Sequence, residues 1–158
     1  KVHHRGIRED GPMILDKLIA VAEAHRNDAP NLLKVADHFR NSLYDLDTHC
    51  HKEEQVLYPY IMEMWRAHDL GQQVAAFHCG SIQGPIQVMM ADHDDELARH
   101  ARIAELTNNY TAPAEADEDW REVLGLLRDF RAALEEHTAM ENEVVFPMSL
   151  KLEQLAVE

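Results

Sequence analysis

The sequence predicts an all-α protein, an up-down-up-down four-helix bundle, and three observations carry that expectation. Long segments repeat apolar residues at helical spacing. β-Branched residues rarely alternate with polar ones, so strand signals are weak. The six Gly and six Pro fall mostly between the periodic segments. At 158 residues, 46% of them apolar, the chain is long enough to bury one core and is read as a single domain over 1–158.

The first helix is expected from His3 to Arg26, with Ile7, Gly11, Ile14, Leu15, Leu18 and Val21 on its inward stripe. Asn27 to Pro30 ends it. A second, longer helix is expected from Asn31 to His68, through Leu32, Leu33, Val35, Phe39, Leu43, Leu46, His49 and Glu53, bent or interrupted at Pro59. Residues 69–84 form the longest irregular stretch, with a short turn around Val74 to Phe77. Pro85 suits the first turn of a third helix, with Ile86, Met89, Met90, His93, Leu97 and Ala101 inward. The turn-forming run "TNNYTAPAEA" closes that helix. A fourth is expected from Asp117, through Val123, Leu127, Phe130 and Leu134, to Pro147. Short connections between such helices imply antiparallel neighbours.

Composition narrows the partners. Fifteen basic against 29 acidic side chains give a net charge of -14, which repels nucleic acid and anionic membrane surfaces. No apolar run approaches the roughly 20 residues of a membrane span. Cys50 and Cys79 are too few for a disulfide framework and read as reduced thiols, so a cytoplasmic location is expected. The chain opens with Lys1 rather than Met and is compatible with being part of a longer product.

One eleven-residue pattern occurs twice, as "HCHKEEQVLYP" at 49–59 and "HTAMENEVVFP" at 137–147. Residues four apart share one helix face, so His49 with Glu53, and His137 with Glu141, each present an imidazole beside a carboxylate. Both pairs continue an apolar stripe and point inward. Buried carboxylates need a paired charge or a metal. The spacing is neither the Glu-x-x-His of ferritin-type sites nor the HExxH of zinc proteases. The third helix offers His93 on its inward stripe, and the first offers His3 or His4 one turn before Ile7.

Imidazole and carboxylate without thiolate suit iron or manganese. If both glutamates bridge two octahedral ions, four imidazoles and an oxo or hydroxo bridge leave one position open on each ion, where oxygen, nitric oxide or water would bind. Helix order suggests that the first two helices supply one ion (His4, His49) and the last two the other (His93, His137). His100 reads as a core or boundary imidazole, and His38, His51, His68 and His78 as surface or loop residues. Cys50 reads as a packed thiol and the methionines, notably Met89, Met90 and Met140, as packing. Asp45, one turn before His49, and Asp92, beside His93, are candidates to orient ligand imidazoles, against the alternative of solvated surface carboxylates.

The paired HxxxE motifs resemble hemerythrin-like proteins. More narrowly, "HKEEQVLYP", "GPIQVMMADHDDE", "LTNNYTAPAEA" and "EEHTAMENEVVFP" resemble the Repair of Iron Centers family of bacterial di-iron proteins, over nearly the whole chain. That resemblance implies His4, His49, His93 and His137 as histidine ligands and Glu53 and Glu141 as bridging carboxylates, choosing His4 over His3. It also implies two iron ions per chain with oxo or hydroxo and carboxylate bridges, and repair of iron-sulfur clusters damaged by nitrosative or oxidative stress through iron supplied to damaged or apo iron-sulfur proteins. Oxygen or nitric oxide binding, sensing, or nitric oxide reduction at the same centre is the alternative. Within the chain, the family's N-terminal cysteine-containing module is absent, Asp117 stands where a cysteine is common, Asp45 and Asp92 stand where Glu is common, and Ile7 replaces a usual polar residue.

Overall fold

The computed structural model describes residues 2–73 and 80–157. The expected turn at Val74 to Phe77, with His78 and Cys79, lies outside the described residues, as does the side chain of His3. The helices are α1 (Val2–Ala24), α2 (Asn31–Lys52), α3 (Tyr58–Asp69), α4 (Gln83–Leu106), α5 (Glu118–Met140) and α6 (Phe146–Val157). Two π-helical segments, Glu53–Leu57 and Glu141–Val145, join α2 to α3 and α5 to α6. No strand is formed among the described residues, as the sequence implied. The last helical stretch continues past Pro147 to Val157, beyond the expected end, because the π segment absorbs the proline.

The chain forms two compact units, Lys1–Asp47 with Asp94–Glu136, and Thr48–His93 with His137–Glu158. In the first, four helices contribute to one apolar core. Leu18 from α1, Val35 and Phe39 from α2, Ile103 from α4, and Val123, Leu124 and Leu127 from α5 are almost completely buried. Gly11 permits close packing of α1 on α2: a β-carbon there would lie 2.5 Å from Leu43 Cδ2. Asp117 caps α5 by accepting from the Trp120 amide at 2.9 Å. At the end of α4, Asn108, Asn109 and Tyr110 take left-handed backbone angles, φ 50, 56 and 61. The Thr107 hydroxyl stabilises this turn by accepting from the Tyr110 amide at 3.1 Å. The second unit has a smaller core of Leu57, Ile61, Met64, Ile82, Ile86, Met89, Phe146 and Leu152.

The inward face of α4 differs from the expected stripe. Ala101 is exposed and Leu97 only half-buried, whereas Glu96 and His100 are buried. The reason is polar pairing across helices. Ser42 Oγ donates to Glu96 Oε2 at 2.5 Å and lies 2.9 Å from His100 Nε2. Arg99 joins Glu96, at 2.7 Å, to Asp45, at 3.0 Å. His100 stacks on Phe130, with ring centroids 5.5 Å apart. Asp45 is therefore an exposed partner of Arg99 and not the inward carboxylate that its phase suggested. Met90 and Met140, expected as packing, are exposed, while Met64 and Met89 fill the core. Among the described residues, no helix is long and apolar enough to cross a membrane.

Burial pushes the Glu96 carboxyl from 4.5 up to about 7, outweighing Ser42 and Arg99, which favour the ionised form. Its contribution to stability is complete below pH 4.5 and is lost as pH rises through about 7. His100 runs the other way. Burial, then Arg131 and Arg99, lowers it from 6.5 to about 4, so its contribution is complete above 6.5 and lost as pH falls through about 4. Denaturant unfolding of the wild type and Glu96→Gln should accordingly diverge: wild type loses stability relative to the variant between pH 4.5 and about 7. Parallel curves would show that Glu96 does not take up its proton in the fold.

Candidate metal centre

The centre is built where each copy of the repeated motif meets its proline. Pro59 and Pro147 have no N–H to donate, and in a regular helix their rings would strike the carbonyl four residues back. Widening the turn by one residue relieves that clash. The Tyr58 amide donates to the Glu53 carbonyl, and the Phe146 amide to the Glu141 carbonyl, each five residues back. Each π segment therefore begins on the motif glutamate. In a regular helix, residues five apart diverge by about 140° around the axis; the widened turn brings them nearly into line. Position 58 is thereby aligned with Glu53, and position 146 with Glu141.

Five candidate ligands fall in the second unit, and all are buried: His49, Glu53, His93, His137 and Glu141. The ligand atoms of His49, Glu53, His93 and Glu141 lie within 4.8 Å of one another. Ligands on opposite sides of an ion, with bonds of about 2.1 Å, are about 4.2 Å apart, so this group is close to the size of a coordination sphere. His49 Nε2 is 2.6 Å from Glu53 Oε1, and His137 Nε2 is 2.7 Å from Glu141 Oε1. His93 Nε2 lies 3.3 Å from the same Glu141 oxygen. His49 and His93 face each other, Nε2 to Nε2, at 3.1 Å.

That last contact bears on the chemistry of the site. His49 Nδ1 is 3.2 Å from Asp92 Oδ2, and His93 Nδ1 is 2.9 Å from Asn142 Oδ1. Each Nδ1 is placed to donate to its oxygen, which turns both Nε2 atoms toward each other and toward the carboxylates. Two carboxylates buried beside these nitrogens, Glu53 and Glu141, are costly unless positive charge lies among them. Glu141 Oε1 is buried near two imidazole nitrogens without an aligned hydrogen bond. The arrangement fits a metal ion held by imidazole and carboxylate.

The electrostatics agree. Burial pushes the Glu141 carboxyl up, but the His137 and His93 imidazoles outweigh it and hold the group well below the usual carboxylate range. Burial also opposes charge on His49, yet Glu53, Asp92 and Glu141 together raise it. The site stabilises positive charge.

Of the sequence candidates, His4 is buried on α1 in the first unit. The grouping of the others departs from the expected division by helix pairs: His49 on α2 shares one position with His93 on α4. Asp92 contacts a candidate ligand imidazole, but that of His49, not of its neighbour His93. Cys50 is a buried free thiol, as expected. His51 and His68 are exposed and His38 half-buried, outside the site.

Two contributors escaped the sequence reading. Asn142 follows Glu141 directly and holds His93. Tyr58 donates its hydroxyl to Glu141 Oε2 at 2.6 Å. The one available signal was the difference between the motif copies, Tyr58 in the first and Phe146 in the second. Phe146 instead lies parallel to the His93 ring, 9° from coplanar with centroids 6.0 Å apart.

Residues 1–149 match the hemerythrin HHE cation binding domain. The chain is 32% identical over 149 residues to the iron-sulfur cluster repair protein YtfE of Citrobacter koseri, covering 94% of this chain and 61% of that protein. The protein of the same name from Musicola paradisiaca is 31% identical over 148 residues, with the same coverage. That from Escherichia coli O1:K1 / APEC is 31% identical over 149 residues, again covering 94% and 61%. The chain thus spans less than two thirds of the length of these relatives.

Asp92→Ala and Asn142→Ala should each weaken metal binding by roughly 10- to 100-fold, because each removes the acceptor that fixes a ligand tautomer. Competitive titration against a chelator reads the change, with His51→Ala as the unaffected control. Unchanged affinity in both variants would exclude the orienting role.

Proposed function

The chain belongs to the hemerythrin HHE cation binding family, and from that premise we propose that it holds two iron ions and supplies iron for the repair of damaged iron-sulfur clusters. The observation that carries the reading is the buried convergence of His49 and His93 Nε2 with Glu53 and Glu141. Relatives named as iron-sulfur cluster repair proteins support the cellular role. The ligand set we propose is the family's, carried onto His4, His49, Glu53, His93, His137 and Glu141, with the two glutamates as bridges. The recipients are damaged or apo iron-sulfur proteins in the cytoplasm.

Bound iron supplies a transferable ion and a place where oxygen or nitric oxide can coordinate. The chain's own residues do the rest. Imidazoles and carboxylates bind; Asp92 and Asn142 hold the two facing rings by their Nδ1 protons. Leu57 and Phe146, 2% and 1% exposed, exclude water beside the ligands. An all-oxygen and nitrogen donor set without thiolate suits an ion that must also leave.

Elemental analysis of anaerobically purified protein is expected to find about two irons per chain, lost when Glu53 and Glu141 are both replaced by Ala. The loaded protein should then restore activity to an apo iron-sulfur enzyme given sulfide. A single zinc, or no metal after iron loading, would overturn the di-iron reading. A reversible nitric oxide or oxygen adduct with no iron transferred would favour gas binding or sensing, and nitrous oxide released from the reduced protein would favour nitric oxide reduction.

A further inference from the structure

We infer that Tyr58 sets how readily the centre gives up its metal, by competing for one oxygen of Glu141. This rests on the metal-binding reading above and extends it to one residue outside the ligand set. The two oxygens of Glu141 have different partners. Oε1 faces His137 Nε2 at 2.7 Å and His93 Nε2 at 3.3 Å, whereas Oε2 accepts from the Tyr58 hydroxyl at 2.6 Å. A carboxylate that bridges two ions uses both oxygens. A phenol bound to Oε2 favours the arrangement in which Oε1 alone is offered to metal.

Tyr58 acts as a donor and not as a ligand. Its place on the helix puts the ring beside both carboxylates, and burial together with the charges of Glu53 and Glu141 holds the proton on its oxygen. The hydrogen bond is charge-assisted and lies in a half-buried setting, where such bonds are strongest. It exists because of the π segment: in a regular helix, position 58 would turn away from Glu53 by about 140°. The second motif copy carries Phe146 at the equivalent position, so a hydroxyl stands at only one of the two. The centre is asymmetric by one oxygen atom. Glu141, whose Oε2 accepts the Tyr58 hydroxyl at 2.6 Å, is thus able to exchange a metal for a protein hydrogen bond, and Tyr58 is a positioning residue for release.

The test compares wild type with Tyr58→Phe, a change that leaves the same ring as Phe146, with helical content by circular dichroism as the folding control. Both are loaded with ferrous iron, and release is followed by absorbance after adding a ferrous chelator. With the competing hydrogen bond gone, release from Tyr58→Phe should slow by roughly tenfold or more. In the infrared difference spectrum of metal-loaded against metal-free protein, the splitting between carboxylate stretches should narrow as Glu141 engages metal through both oxygens. Equal or faster release, or an unchanged splitting, would overturn the role of Tyr58 while leaving the metal site intact. Failure of the wild type itself to bind iron would overturn the metal-binding reading, and this inference with it.

Discussion

Two carboxylates and two imidazole Nε2 atoms directed into one buried space form a combination that favours positive charge. The rest of the second unit follows from that constraint. His49 and His93 can face each other at 3.1 Å because Asp92 and Asn142 hold their outer protons.

The prolines explain why the motif is longer than its ligands. His and Glu at a spacing of four would suffice to bind an ion, but the aromatic residue and Pro59 or Pro147 force the π turns that bring positions 58 and 146 around to the site. One ring then stacks on a ligand imidazole and the other gives a hydrogen bond to a ligand carboxylate. A helix irregularity that looks like a cost in backbone geometry adds an outer layer to the metal site.

The two units handle buried polarity differently. In the first, Ser42 joins Glu96 to His100 inside an otherwise apolar core, and Arg99 links Glu96 to solvent-facing Asp45. In the second, two carboxylates and three imidazoles are buried together, a set that fits a cation. That contrast separates a structural polar cluster from a binding site more clearly than histidine count does.

The all-α class, the ends of most helices and the burial of five candidate ligands were legible in the sequence, because helical periodicity and the His-x-x-x-Glu spacing are local properties of the chain. The family resemblance chose His4 over His3 and pointed to iron rather than manganese. Periodicity failed where a distant partner decided the outcome. Glu96, absent from the expected inward stripe, is buried because Ser42, on another helix, donates to it, and Asp45 looked inward until Arg99 drew it to the surface. Tyr58 and Asn142 were invisible for a related reason: a regular 3.6-residue period points position 58 away from the site, and only the π turn reverses it. Sequence determined which side chains carry the chemistry; tertiary structure decided which nitrogen holds a proton and which carboxylate oxygen remains for a metal, because those depend on partners from other helices.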